Sequence, residues 1–373
     1  MAISVQTITT DEHRAYLDSI ASASFLQTPA WATVKSDWRG ESIGWFDDGS
    51  QIGAGLVLYK QIPKLKRYFA YLPEGPVIDW ERPDLPALLV PLREHLMASG
   101  AFGARIGPTL VRRRWRADTI KAAIADPRLT RLSQARPDEV NPATTAAERH
   151  LRTLGWRPPK GAADGGFVTG QPVFNFWLPL AGRSPDELLA GMNQLWRRNI
   201  KKADKAGVEV GQGTVDDLPA FHELYVETTI RDHFVARSLD YFQTMMTALN
   251  AEKPDRVRLY LGRHDGDLVA ATIWVRVGEH AWYSYGASSA TKREVRGSNA
   301  VQWRMITDAL AEGATVYDLR GVTEGIAEGD PELGLIQFKV GTGGEIVEYL
   351  GEWSLPINRL LSAAFDAYLA RKG

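Results

Sequence analysis

Asp48-Gly49-Ser50-Gln51-Ile52-Gly53-Ala54 and, 217 positions later, Asp265-Gly266-Asp267-Leu268-Val269-Ala270-Ala271 are two copies of one pattern. Each Asp-Gly follows a short apolar stretch (43–46; 257–261) and precedes a longer one (53–59; 270–277). Asp-Gly between alternating apolar runs marks a tight hairpin, because such a turn needs positive φ and these two residues tolerate it. The shared flanks, more than the dipeptide itself, point to a duplicated α+β unit.

The remaining elements read outward from the two hairpins. Ser184-Pro185-Asp186-Glu187 is a capping box with proline in the first turn, and the helix it opens is expected to reach Ala206 and stop at Gly207. Further helices are expected over 84–100, 217–228, 239–250 and 299–312, with strands over 101–106, 173–178, 315–319 and 345–350. Residues 112–116 (RRRWR) read as the start of a helical stretch toward Ala125, 131–145 as a loop, and the Pro/Gly-dense 157–170 as a linker or long loop. From Ser354 onward, Ile357, Leu360, Leu361, Ala364, Phe365 and Tyr368 form the apolar face of a helix expected to return to the first unit. The expected domains are therefore 1–165 completed by 351–373, and 166–350.

The 373 residues carry 44 Lys+Arg against 45 Asp+Glu and no cysteine. The length suits two domains or one large one. Without cysteine there is no disulfide framework, thiolate nucleophile, Fe–S cluster or Cys-based zinc site. A net charge of −1 argues against a globally basic nucleic-acid coat and leaves room for a local basic groove. Thirty-one of the cations are arginine, so each lysine cluster stands out. The 12 tryptophans suit ligand walls and core filling alike. The seven histidines are scattered, with no H-x-x-x-H or H-E-x-x-H spacing, and no metal is expected. Hydrolase elbow, Walker and dinucleotide fingerprints are absent, so no cofactor is expected and group transfer by positioning remains. No signal pattern opens the chain and no stretch approaches about 18 apolar residues, from which a soluble, cytoplasmic chain is expected.

Three constellations can carry chemistry. In Phe25-Leu26-Gln27-Thr28-Pro29-Ala30-Trp31-Ala32-Thr33-Val34-Lys35-Ser36-Asp37-Trp38, Trp31 and Lys35 fall on one helix face. A Trp wall beside an ammonium suits a base or sugar bearing phosphates; the same spacing also serves a core Trp beside a solvated Lys. Between Asn193 and Lys205, the cations Arg197, Arg198, Lys201, Lys202 and Lys205 gather near a helix C-terminus, where they complement the helix dipole or hold phosphate. Phe338-Lys339-Val340-Gly341-Thr342-Gly343-Gly344 sets a lysine before a glycine-rich turn, which either projects an ammonium beside free N–H groups or simply turns a hairpin. Residues 60–67 and 112–116 add basic surface.

At these residues the sequence resembles the Fem family of peptidoglycan aminoacyltransferases, which use aminoacyl-tRNA. The resemblance rests on F-L-Q-T-P-x-W-x-x-V-K (25–35), Y-L-P-E-G-P-V (71–77), R-R-N-I-K-K-A-x-K-x-G-V (197–208), Y-S-Y-G-A-S (283–288) with Asn299, Tyr317-Asp318-Leu319-Arg320-Gly321, and Phe338-Lys339. It implies two tandem GNAT-like (acyl-CoA N-acyltransferase-like) α+β domains, in the short form without a coiled-coil insertion after Arg198. It also implies that a small amino acid (glycine, alanine or serine) passes from aminoacyl-tRNA to the third-residue side-chain amine of a stem peptide, building the interpeptide bridge of the cell wall. The acceptor would be UDP-MurNAc-pentapeptide or its lipid-linked form, lipid II. By the resemblance, Lys35 and Arg198 bind the precursor's phosphates, with Trp38 and Arg197 beside them. Lys339 acts in transfer and Phe338 helps place it, while Tyr283 and Tyr285 line the acceptor channel. Asp318 and Glu324 are conceivable proton acceptors, though a carboxylate without catalytic role fits both. The basic runs near Lys60 and Arg112 would suit peripheral contact with the inner face of the membrane.

Three other readings stand beside this one. An acyl-CoA N-acyltransferase would need an [RQ]-x-x-G-x-[GA] loop, and Glu294-Val295-Arg296-Gly297-Ser298-Asn299 lacks its first and last elements. A non-catalytic RNA- or precursor-binding protein would have no use for Lys339. A tRNA-dependent peptide ligase of natural-product biosynthesis would share the machinery and differ in its amine.

Overall fold

The computed structural model describes residues 3–62, 65–159 and 170–370. The first half contains β1 (Ser4–Thr7), α1 (Thr10–Asp18), α2 (Trp31–Val34), β2 (Arg39–Asp47), β3 (Ser50–Gln61), β4 (Tyr68–Leu72), α3 (Pro86–Ala98) and β5 (Ala101–Ile106). There follow β6 (Val111–Arg116), α4 (Ala117–Ala125), β7 (Glu139–Val140), α5 (Ala143–Thr153), β8 (Phe174–Pro179), α6 (Pro185–Gly191), α7 (Gln194–Lys205) and β9 (Glu209–Gly213). Then come α8 (Leu218–Asp232), α9 (Leu239–Glu252), β10 (Val257–His264), β11 (Asp267–Val277), β12 (His280–Ser288) and α10 (Gly297–Ala311). The chain ends through β13 (Val316–Val322), α11 (Leu333–Val340), β14 (Glu345–Tyr349), β15 (Trp353–Leu355) and α12 (Arg359–Ala370). Most of the Pro/Gly-dense stretch 157–170 lies outside the described residues.

The two Asp-Gly turns form and match in detail. Asp48 and Gly49 have φ of 48° and 80°, and Asp265 and Gly266 have 50° and 83°. Each hairpin carries a bulge, between Trp45 and Phe46 in one and between Gly262 and Arg263 in the other, again 217 residues apart. The repeat extends to topology. The six-stranded first sheet runs β1-β2-β3-β4-β5-β15, and the nine-stranded second runs β7-β6-β14-β8-β13-β12-β11-β10-β9. In both, five strands lie side by side in chain order, and the last two, β4 with β5 and β12 with β13, are the parallel pair.

Several local expectations are corrected. RRRWR is a strand, not a helix start. Trp115 is wholly buried, while Arg113 and Arg114 pair with Glu348 and Glu345 of the adjacent β14. In the strand the two arginines fall on opposite faces, Arg113 directly across from Glu348 and Arg114 diagonal to Glu345, so each meets a β14 carboxylate on its own face. This places residues of the expected first unit in the second sheet. The stretch 131–145 is not only loop, since β7 and the start of α5 fall within it. The expected long helix over 184–206 is two. Asn193 ends the first by accepting the Trp196 N–H at 2.9 Å as the cap of the second, and Arg197 donates to the carbonyls of Ala190 and Met192. At the C-terminus, Trp353–Leu355 first adds a strand to β5, and only then does α12 begin; its Phe365 stacks on Phe69 at 4.8 Å while Leu360 stays exposed. Lys339 lies in the last turn of a helix, α11, rather than on a hairpin.

Three cores hold the sheets. One lies outside the first sheet under α3 and α5, around Trp45, Leu92 and Trp156; another lies on the α10 side of the second, around Trp115, Trp274 and Met305. The middle core is shared. Phe25, Trp31 and Leu58 from the first half pack with Phe242, Met245, Ile273 and Trp282 from the second. The β11–β12 turn presses into the first half at Gly278 (φ 59°), where the next N–H, of Glu279, donates to the Ala21 carbonyl at 2.8 Å. A side chain at Gly278 would place its Cβ 2.1 Å from that oxygen. Gly278→Ala is therefore expected to destabilise the protein by about 1–3 kcal/mol, from overpacking plus left-handed strain. A urea midpoint equal to wild type would contradict this.

Candidate active site

β12 and β13 pair only where 280–282 face 316–318, and then they part. Beyond the split, Ser284 and Tyr285 on one strand and Arg320 on the other line a cavity of about 310 Å³. Its opposite wall comes from the first half, through Phe25, Trp31, Lys35, Trp38 and Tyr71. The Lys35 ammonium lies 5.6 Å from the ring centroids of both Trp31 and Tyr241. The Arg237 guanidinium lies 5.4 Å from that same Tyr241 ring, whose hydroxyl meets Tyr285 at 2.9 Å. Burial, and then Arg237, hold the Lys35 ammonium below the usual lysine value. Neither cation has an ion pair among the described residues. Trp31 Nε1 and Ser284 Oγ are buried on the cavity wall without a protein partner. Two uncompensated cations, aromatic faces and idle polar groups together describe a pocket for a polyanionic, partly planar ligand.

The floor joins the two halves. Arg320 donates to Glu74 at 3.0 Å and to Gln171 at 3.3 Å, and Glu74 also accepts the Ser24 hydroxyl at 2.5 Å. Arg320 has φ 63°, and its N–H donates to Asp318 at 2.6 Å. Asp318 is wholly buried and also accepts the Trp177 indole N–H at 3.0 Å, with His280 at 3.2 Å. That turn presents the carbonyls of Arg320 and Gly321 to the Lys339 ammonium, at 3.3 and 2.7 Å. Lys339 has no carboxylate partner among the described residues, and burial brings it down to about 7. As an ammonium it keeps a third N–H for negative charge developing nearby.

A second cavity, of about 490 Å³, opens beside the α11 turn that carries Lys339. It is lined by Phe338 and Gln337 of α11, Asn193, Trp196 and Asn199 near α7, and Arg293, Arg296 and Asn299 at the start of α10. Trp196 braces Phe338, donating its indole N–H to the Phe338 carbonyl at 2.8 Å with ring centroids 4.8 Å apart. Arg293 and Arg296 have no ion pair among the described residues, and the buried Asn299 Nδ2 has no partner. The free N–H groups of the α10 N-terminus add to this positive field.

The structure thus brings together Lys35, Trp38 and Tyr285 in one cavity and Phe338 in the next, while Lys339 lines neither and rests on the backbone of Arg320. It does not bring Arg198 to Lys35: Arg198 is exposed on α7 and lines neither cavity, and the cation that lines the cavity with Lys35 is Arg237. Arg197 is spent on the carbonyls at the α6–α7 break. Tyr283 is displaced by a bulge between Ile273 and Trp274 and packs into the α10-side core, so only Tyr285 of the pair lines the cavity. Asp318 and Glu324 serve as acceptors of structural hydrogen bonds, Glu324 from Ser133 and Arg131. Arg237 carried no local signal, being a lone arginine before a Ser-capped helix. Glu74 and Arg320 sit inside quoted motifs, but nothing in their spacing says they meet.

Lys339 makes a stability prediction. In the unfolded chain it titrates near 10.4 (about the ordinary value), so between about pH 7 and 10 that state binds one more proton than the folded one, and stability rises with pH. The contribution is up to about 1.4 kcal/mol per pH unit. Lys339→Met should remove this part of the slope, seen as urea midpoints that rise less with pH than those of wild type; parallel pH profiles would contradict it.

Two segments of the chain, residues 8–261 and 261–369, match the FemAB family. The chain is similar to the lipid II:glycine glycyltransferase of Staphylococcus aureus (strain USA300), 24% identical across 95% of this chain and 93% of that protein. The crystal structure of FemX aligns over 97% of this chain and 100% of its own, with TM-score 0.81 and 23% identity. A tandem GNAT protein from the clavulanic acid biosynthesis pathway aligns over 95% of this chain and 99% of its own, with TM-score 0.53 and 12% identity. These structures speak to fold, and the fold is two tandem GNAT-like domains, which accommodates the duplicated hairpin. With residues 8–369 covered by the two matches, the chain belongs to the FemAB family.

Proposed function

We propose that this chain moves a small amino acid (glycine, alanine or serine) from aminoacyl-tRNA to the third-residue side-chain amine of a peptidoglycan-precursor stem peptide. The chain is a transferase; the donor, the acceptor atom and the cell-wall role are our reading. The observation that carries it is one buried lysine tied by its immediate neighbours to two cationic cavities. The Lys339 ammonium rests on the backbone of Arg320, which lines the first cavity, while its chain neighbour Phe338 lines the second. Two anionic substrates that must react with each other, rather than with water, call for that arrangement.

In this reading the first cavity takes the precursor, with Lys35 and Arg237 on its phosphates and the Trp31, Trp38 and Tyr241 faces beside its rings. The second takes the esterified 3′ end of the tRNA, held by Arg293, Arg296 and Asn299. The amine attacks the ester carbonyl, a C–N bond forms as the C–O bond to ribose breaks, and the amine's proton passes to the leaving ribose oxygen or to water. Lys339, which the approach of two anionic substrates favours in its protonated form, steadies the oxyanion in a site where burial strengthens its field. No strong base is required, because the ester is already activated and orientation supplies much of the rate. The lipid II:glycine glycyltransferase relatives support a lipid-linked acceptor and a glycyl donor.

The test is incubation with charged tRNAs and each precursor, followed by mass measurement of the product. Lys339→Met should lower transfer at least about 100-fold, the scale of losing one oxyanion donor, while precursor affinity stays within about twofold. Lys35→Ala and Arg237→Ala should each weaken precursor binding about tenfold or more, the scale of one charge-assisted contact. Arg198→Ala should leave it unchanged. Calorimetric titration distinguishes these, and equal affinity in all three variants would remove the phosphate assignment.

A further inference from the structure

The exposed cations of α7 line neither cavity. Arg198, Lys201, Lys202 and Lys205 recur at the three- and four-residue spacing that puts side chains on one helix face, a stripe about 10 Å long. All four are exposed, and none has an ion pair among the described residues. Exposed cations elsewhere are answered, Arg116 by Glu139, Arg128 by Asp126 and Arg152 by Glu148. The helix dipole accounts for Lys202 and Lys205 in the last turn, but not for Arg198 a turn earlier. Against these cations α7 carries one carboxylate, Asp204, at the edge of the stripe beside Lys201. Glu209 follows on β9 and Glu294 adjoins Arg293; none of the three forms an ion pair among the described residues.

The stripe abuts the second cavity. Leu195 and Asn199 line that cavity, and each stands three residues before a stripe cation, Arg198 and Lys202, so cavity wall and cations are neighbours on the helix surface. Arg293 and Arg296, unpaired as well, line the same cavity. A polyanion whose end fills the cavity thus meets further positive charge along α7 as it leaves. Separate point charges spaced along a helix suit phosphates repeated along a strand rather than one compact anion. No helix among the described residues is long and apolar enough to cross a membrane, and α7 is not built to lie on one. Its apolar side, with Trp196 and Ala203, is buried in the protein, and Leu195 is the one large apolar side chain it exposes.

We propose that α7 is a phosphate track for the acceptor stem of the tRNA whose 3′ end occupies the second cavity, with Lys201, Lys202 and Lys205 on backbone phosphates of the stem. The proposal rests on the proposed function for its donor and adds where the duplex lies. Lysines on phosphates position a duplex and read no sequence, so tRNAs of different sequence use the track alike.

Lys201→Ala/Lys202→Ala/Lys205→Ala removes three charges from exposed helix positions that alanine suits. Its affinity for uncharged tRNA, read by fluorescence anisotropy at several salt concentrations, should fall about tenfold or more at low salt. The slope of log affinity against log salt should shrink by about one per lysine, equally for tRNAs of different sequence. Precursor affinity should match wild type. With intact aminoacyl-tRNA the variant's KM should rise while kcat holds. An aminoacylated dinucleotide, which fills the cavity but has no stem, should serve variant and wild type equally. Unchanged tRNA affinity and salt slope overturn the proposal. So does an equal loss with the dinucleotide, which places the damage in the cavity, or a variant that loses phosphatidylglycerol vesicles in sedimentation but keeps its tRNA. If tRNA affinity depends on the three lysines yet the wild type transfers from neither donor, the surface stands and the proposed function fails.

Discussion

Arg320 and Glu74 meet at 3.0 Å at the floor of the first cavity, the carboxylate buried and the guanidinium mostly so, and the working parts of the protein are arranged around that contact. A buried pair of this kind adds little net stability, because desolvating two charges offsets their attraction, but breaking it costs about 3–5 kcal/mol. Its value is positional. The guanidinium ties β13 of the second half to the loop after β4 of the first, so the two repeats have one relative placement. The same residue turns through positive φ, held by the Asp318 carboxylate on its N–H, and its carbonyl then points at Lys339. One side chain thus closes the first cavity's floor, and its own backbone seats the buried ammonium.

The arrangement also explains why the repeats are not interchangeable. Each has a parallel pair at the end of its five-strand run, but only the second has a described cavity in the opening of its wedge. The first half supplies a wall: Trp31, Lys35 and Trp38 cover a cavity that the second half would leave open. The shared core around Phe25, Phe242 and Trp282 keeps that wall in place. The break between α6 and α7 serves the other side. Without it, Trp196 would not lie under the Phe338 ring and carbonyl.

Much of the fold was legible because it depends on local rules. Asp-Gly turns need positive φ whatever surrounds them, so both hairpins, their strands and their duplication could be read directly. The Ser184 capping box marked a helix start for the same reason. The failures came where a long-range partner overrode a local pattern. RRRWR reads as a charged helical run until Glu348 and Glu345 arrive from over two hundred residues away. The helix begun at Ser184 should have continued past Asn193, except that the Asn193 N–H is taken by the Gly341 carbonyl and its side chain starts a new cap.

For the site, residue types and spacing by themselves determined that Trp31 and Lys35 share a face, that Lys339 precedes a glycine-rich turn, and that thiol, metal and fingerprint-cofactor chemistry had no motif to rest on. Tertiary structure alone decided which cation joins Lys35. Arg197 and Arg198 looked stronger, being clustered, yet one is consumed by helix-end carbonyls and the other faces solvent, while the isolated Arg237 shares the Tyr241 ring. Nor could spacing reveal that Lys339 is buried without a carboxylate, or that Glu74 and Arg320 would find each other across 246 residues. Turn and cap preferences act through neighbours along the chain. A binding site is made by neighbours in space, and those are set only when the two repeats pack.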